Sequence, residues 1–323
     1  MKTRLTDILE VEHPVMLAGM GGVSYSELCA AVSEAGGFGT LGASTMGDRM
    51  IDEIRAVKKL TSKPFGVDLL TAMPGQVEKN VQTIIDEGGR VFVAGLGVPR
   101  DVVELCHANN VLVASMCGKV KHAVAAVAAG CDIVVAQGTE AGGHTGQIAT
   151  FPLVPQCVDA VGDKVPVVAA GGIYDGRHLA AALALGADGV WVGTRFIATP
   201  EAYGVHAYKD VLLRTPEDGT VISRAFTGKT CRVVRNEYTQ YYEEHPDELK
   251  PFPQQFMQSA QDGANHLGAP PETDVDENRD FFPAGQGVGA INELVPAGDL
   301  VRQFVADAEK MIDLLTKVRA TGL

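Results

Sequence analysis

DIVVAQGTEAGGHTG (residues 132–146), VPVVAAGGIYDG (165–176) and GVWVGTRFIATP (189–200) lie in the second third of the chain. Each is a short β-branched apolar run that ends in glycines and passes into polar residues or a helical stretch. A parallel strand buried on both faces looks like this where it empties into a ligand-binding loop. Two of the runs end in glycine-rich turns, before Ile173 and before Arg195, spaced as consecutive βα units. In a (β/α)8 barrel the loops after the seventh and eighth strands form the usual phosphate site. The remaining run places His144 between glycines and a threonine on the same rim. A phosphate-bearing cofactor beside one reactive imidazole is therefore the leading reading.

Working outward, eight βα units can be counted. Strands are expected at 15–19, 38–41, 65–70, 90–94, 111–116, 132–136, 165–170 and 189–192. Helical patterns lie between them at 26–34, 49–60, 74–87, up to Ala108 with Asp101 as its cap, 119–129 and 177–185. Unbroken alternation favours a single parallel TIM barrel over two domains. The expected organisation is a barrel over 1–198, a helical insertion over 199–283, and a closing segment over 284–323. The insertion lacks βα rhythm and crowds Tyr238, Tyr241, Tyr242 and Phe252 into a chain with only 6% aromatics. It reads as a helical cover over the active-site mouth, the alternative being a solvated appendage. The closing helix, 300–318, carries apolar positions at Leu300, Phe304, Ala308, Met311, Leu314 and Leu315.

Composition excludes several classes. A net charge of −13 argues against nucleic acid or an anionic membrane as partner, since both need a basic surface. No apolar run approaches the ~18 residues of a membrane span. The start, MKTRLTDILEVEHP, lacks an apolar signal core, so a cytoplasmic location is expected. Six cysteines without metal spacing read as reduced, buried thiols. There is no G-x-G-x-x-G after the first strand and no P-loop, so those nucleotide folds fall away. Backbone amides at Gly171, Gly172, Gly193 and Thr194 could meet phosphate oxygens that side chains would block. Gly19, Met20, Asp68, Met116 and Gln137 occupy rim positions suited to the edge of a flat heteroaromatic ring. Asp68 has a second reading, a strand-end carboxylate paired with a lysine or a helix terminus. His144 is placed to act as a general base or to hold a proton near neutral pH. Glu140, four residues upstream, could orient the loop.

The segments HPVMLAGM (13–20), GVDLL (66–70), GTEAGGHTG (138–146), PVVAAGGIYDGR (166–177), GVWVGTRF (189–196) and AGQGVGAI (284–291) resemble the nitronate monooxygenase family, formerly called 2-nitropropane dioxygenases. That family also contains flavin-dependent enoyl-acyl-carrier-protein reductases and NADH:quinone reductases. The resemblance implies a TIM barrel with non-covalent FMN, its phosphate on Gly171, Gly172, Gly193 and Thr194. It places Ala18, Gly19 and Met20 at the isoalloxazine, Gln137 at the ribityl or ring edge, and Gly142 and Gly143 beside a catalytic His144. Asp68, Met116, Ala170 and Gln286 complete the implied cofactor set. Many relatives carry Asn at the position of Asp68, and some carry Lys at that of Met116. The implied reaction is oxidation of alkyl nitronates, or nitroalkanes, with O2. The alternative is NAD(P)H-dependent reduction of an enoyl thioester or a quinone. Either activity fits a monomer or a homodimer, and no metal is expected.

Overall fold

The computed structural model describes residues 1–71, 77–95 and 97–318. Eight parallel strands form one sheet: β1 (Val15–Leu17), β2 (Gly39–Gly42), β3 (Phe65–Leu69), β4 (Val91–Ala94), β5 (Leu112–Cys117), β6 (Ile133–Gln137), β8 (Val167–Ala170) and β9 (Gly189–Val192). Between β6 and β8 in the chain, β7 is the two-residue strand Gly143–His144, which belongs to a second sheet. The ladder runs β1-β9-β8-β6-β5-β4-β3-β2. It closes where the Phe38 amide donates to the Val15 carbonyl and the Leu17 amide donates to the Phe38 carbonyl, both at 2.9 Å. The fold is the expected TIM barrel. The helix expected from Pro74 is observed as Val77–Glu87; Pro74 itself lies outside the described residues. Asp101 does not cap its helix, which starts after Pro99. Its carboxylate instead accepts from the Val102 amide inside the first turn.

Strand parity sorts the barrel into two cores. Met16, Val91, Val93, Ala114, Ile133, Val135, Val168 and Trp191 point inward and pack on one another. Their neighbours Val15, Leu17, Phe92, Val113, Val134, Val167 and Val190 point outward against the helices. The amino-terminal helix Arg4–Leu9 plugs the barrel floor, with Leu5, Leu9 and Val11 in the interior cluster. Burying each leucine contributes about 1.5–3 kcal/mol. Thr3 and Thr6 form a reciprocal capping box that starts this helix, and Arg4 pairs with Asp188 at 2.9 Å to pin it beneath β9.

The segment after β9 departs from expectation. It holds helices His206–Arg214, Glu237–Glu244 and Gln254–Gln261, but also β10 (Thr220–Ser223) and β11 (Cys231–Val234). These two pair antiparallel, and β11 pairs in turn with β7, so Cys231 lies opposite His144. The insertion is therefore mixed rather than helical. Its strands are four residues long and bordered by polar turns, and their third partner is a glycine–histidine pair without strand propensity.

The closing helix is Ala297–Lys317, packed between helices Gly176–Ala184 and Ser26–Glu34. Leu300, Phe304 and Ala308 are buried as expected, whereas Leu314 and Leu315 are half exposed, because the last turns extend past the barrel. The crossing with helix Gly176–Ala184 is close. A Cβ at Gly176 would lie 2.3 Å from the Phe304 carbonyl oxygen and 2.6 Å from the Ala308 amide nitrogen. Gly176→Val should therefore destabilise the protein by about 1–3 kcal/mol through overpacking, read as a lowered midpoint in thermal unfolding. An unchanged midpoint would mean that this crossing does not hold the helix. Among the described residues no helix is long and apolar enough to cross a membrane.

Candidate active site

A cavity of about 1000 Å³ opens at the carboxyl ends of the barrel strands. It lies at the upper end of the ~300–1,000 Å³ usual for ligand sites. Inward parity carries the lower layers up to its floor: Ala18 follows Met16, Asp68 follows Gly66, Met116 follows Ala114, Gln137 follows Val135, and Ala170 follows Val168. All five line the cavity, together with Gly19, Met20, Gly142, Gly143, His144, Gly171, Gly172, Gly193 and Thr194. Gln286 does not line it. Its side chain is exposed and its amide donates to the Glu140 carbonyl at 2.9 Å, while Gly285 and Gly287 on either side reach the wall.

At one end of the cavity Gly171 and Gly172 have φ of 104° and 74°, a left-handed region that L side chains avoid. Among the described residues, the amide nitrogens of Gly171, Gly172 and Gly193 donate to no backbone carbonyl. Thr194 begins a short helix beside them, and its Oγ1 accepts from the Gly285 amide at 2.9 Å, leaving the hydroxyl proton to donate. Several free N–H groups converging at a helix start make a cradle for an anion. This donor set fits a phosphate.

His144 stands at the other side, held by its own backbone. Its carbonyl accepts from Gln137 Nε2 at 2.7 Å, and its strand is locked to β11. Gly142, which lines the cavity, also packs closely on the segment behind it, since a Cβ there would meet the Ala284 carbonyl carbon and the Gly285 nitrogen at 2.7 Å. His144 Nε2 lies 3.2 Å from Thr227 Oγ1, whose single proton is directed to the Lys229 carbonyl at 3.1 Å. The threonine oxygen must then accept, which places the proton on Nε2 and leaves Nδ1 as the basic nitrogen; this tautomer is assigned from the network. Burial, helped by the nearby Lys229 ammonium, lowers the imidazole pKa to about 4. The ring is accordingly neutral at physiological pH.

Asp68 has neither of the partners the sequence suggested. Among the described residues no lysine and no helix terminus meets its carboxyl, and burial alone pushes its pKa up to about 8. Of the four aromatic side chains singled out in the insertion, only Phe252 reaches the cavity, its ring edge-on to His144 with centroids 6.4 Å apart. Tyr238 and Tyr242 pack with Phe226 and Phe281 in the insertion's own core. Tyr241 is exposed and stacks on His245. The insertion adds Phe256, Met257, Thr227 and Cys231 to the cavity wall, none of which sequence reasoning picked out. All six cysteines are free and buried; Cys231 lines the cavity, with burial holding its thiol protonated.

The nitronate monooxygenase family model matches residues 2–80 and 71–307 of the chain. The (3aS,4S,5R,7aS)-5-hydroxy-7a-methyl-1-oxo-octahydro-1H-indene-4-carboxyl-CoA dehydrogenase of Mycobacterium tuberculosis is 40% identical over 245 residues, covering 75% of this chain and 69% of that one. Among solved structures, FabK from Thermotoga maritima is 34% identical with a TM-score of 0.89, covering 98% of this chain and 99% of that one. Nitroalkane oxidase from Streptomyces ansochromogenes is 31% identical with a TM-score of 0.82, covering 96% and 99%. With its family match running through nearly the whole chain and its relatives oxidoreductases by name, this chain is an oxidoreductase of the nitronate monooxygenase family.

Proposed function

We propose that the chain is an FMN-dependent enzyme that oxidises alkyl nitronates with O2. The free amides at Gly171, Gly172 and Gly193 suit the FMN phosphate, and Ala18, Gly19, Met20, Met116 and Gln137 line the space toward His144. FMN bound there would accept electrons from the substrate and pass them to O2. The observation that carries this reading is the setting of His144, whose Nε2 lies 3.2 Å from a threonine oxygen already committed to the Lys229 carbonyl, in a site where burial and the Lys229 ammonium disfavour a charged ring. A nitronate has already lost its proton, so it needs no acid from the protein. Reduction of an enoyl thioester needs a proton donor. An imidazole whose only proton is held on Thr227 Oγ1 and whose pKa lies near 4 supplies one poorly at pH 7. Lys229, with its ammonium 4.3 Å from the Phe252 ring centroid and unpaired with any carboxylate among the described residues, adds positive potential that favours an anionic substrate.

The second reading is NAD(P)H-dependent reduction of an enoyl thioester or a quinone; its thioester arm is favoured by the name of the 40% identical relative, a carboxyl-CoA dehydrogenase. The two separate under anaerobic conditions. The flavin-loaded protein is mixed in turn with propionate 3-nitronate, NADH and NADPH while the flavin spectrum is followed. Bleaching by the nitronate alone is expected. Bleaching by a nicotinamide and not by the nitronate would transfer the assignment to the second reading.

A further inference from the structure

We infer that Asp68 works as a neutral carboxylic acid that donates a hydrogen bond to the bound cofactor, so that losing this one proton weakens cofactor retention. The inference rests on the proposed FMN reading for the identity of the ligand, but its basis is the side chain's own setting. Asp68 is 9% exposed, yet it lines the cavity, so its small accessible surface faces the ligand space. It has no hydrogen-bond partner among the described residues, unlike buried Asp188 and half-buried Asp132, the carboxylates at the opposite ends of strands. Asp188 accepts from Arg4 and from the Val167 amide, and Asp132 accepts from the Val113 amide. A polar group buried without a protein partner favours a ligand that supplies one.

No neighbouring charge explains the position either. The elements packed on Asp68 are β2 at Gly42, β4 at Val93, and the turn at Gly19, where a Cβ would come within 2.1 Å of the Asp68 Cβ. None of them carries an ionisable side chain at the contact. The ionisable residues elsewhere along the wall are Asp48, Lys79, His144, Tyr174, Tyr208 and Cys231. None of these perturbs the Asp68 carboxyl, whose pKa is raised toward 8 by burial alone. A carboxyl in such a place keeps its proton at neutral pH and can act as a donor, which a carboxylate cannot. The acceptors such a donor suits are the carbonyl oxygens or unprotonated ring nitrogens on the edge of a flat heteroaromatic ring.

The test compares wild type with Asp68→Asn, which keeps shape and donor but cannot ionise. FMN is titrated into apoprotein from pH 6 to 9, with binding read by flavin fluorescence. Wild-type affinity should be constant at low pH and then fall toward tenfold per pH unit above the titration. Asp68→Asn should bind with a flat profile. Parallel profiles in the two proteins would overturn the inference. A second readout needs no cofactor: urea unfolding of the two apoproteins across pH 4–9. The folded pKa is raised above the unfolded one, so the stability tied to the proton is present at low pH and is lost as pH rises toward 8. The wild type should lose stability relative to Asp68→Asn over that window. If FMN binds neither protein at any pH but this stability difference appears, the cofactor assignment fails and the neutral acid stands. If the difference is absent, the neutral acid itself is wrong.

Discussion

Gly172→Val should yield a folded barrel that no longer retains flavin. Residue 172 adopts φ of 74°, where a β-branched side chain costs about 1–3 kcal/mol. A Cβ there would also press on Glu140, 3.2 Å from its Cβ. Relief comes by rotating the 171–173 turn, and that rotation turns its free amides away from the cradle. Each hydrogen bond to a charged group contributes about 1.5–3 kcal/mol, so losing even two weakens cofactor binding by two to four orders of magnitude. Strain alone must be separated from loss of the cradle. Gly263→Val provides the control, because Gly263 is exposed with φ of 66°, and a Cβ at that position would meet nothing within 4 Å. It should suffer similar strain yet keep its flavin. The measurement is flavin absorbance per protein after gel filtration, with circular dichroism to confirm folding. Retention by Gly172→Val would remove the phosphate from this turn. Wild-type protein that is colourless and cannot be reconstituted with FMN would sink the flavin reading altogether.

The barrel was legible because its strands are short β-branched runs buried on both faces, and a run such as VPVVAAGG announces both the strand and its end. The cavity floor was legible for the same reason. Once Val135 and Val168 point inward, a period of two puts Gln137 and Ala170 on the same side. What escaped depends on contacts made far along the chain. Nothing in Gly143–His144 marks a strand, because its pairing is imposed by β11, nearly ninety positions later. The aromatic crowding of the insertion was visible, but which rings face the cavity was not. Tyr238 and Tyr242 lie one turn apart on a helix face turned into the insertion's own core, while Phe252 sits in the segment leading to the next helix. Gln286 stood in a motif whose wall-forming members are its flanking glycines. Asp68 was placed correctly on the rim, but only the three-dimensional neighbourhood shows that no cation meets it.

His144→Ala should retain flavin and lose turnover unevenly between two forms of one substrate. With a neutral nitroalkane the protein must take a proton, and removal of a general base costs about 10²–10⁴-fold. With the preformed nitronate that proton is already gone, so the loss should be much smaller. The lowered pKa sharpens this expectation. A ring titrating near 4 is the unprotonated form through neutral pH, but it is a weak base with little driving force toward a carbon acid. Wild type should therefore turn over nitronate well and nitroalkane slowly, and the variant should lose most of the slow reaction. The pH profile gives a second check. Since the folded pKa is depressed, kcat/KM for the neutral nitroalkane, which needs the base, should stay level from pH 8 down to about 5 and fall only toward 4, where Nδ1 takes up a proton. Stability follows with the sign opposite to that of Asp68: the unfolded ring binds its proton more readily, so native stability declines as pH falls below about 6.5. His144→Ala should lack that decline. Equal losses on nitroalkane and nitronate would mean that His144 positions the anion instead of taking a proton. An acid limb near 6.5 would mean that the ring is solvated in the working enzyme, and the case for oxidation of nitronates over reductive protonation would lose its main support.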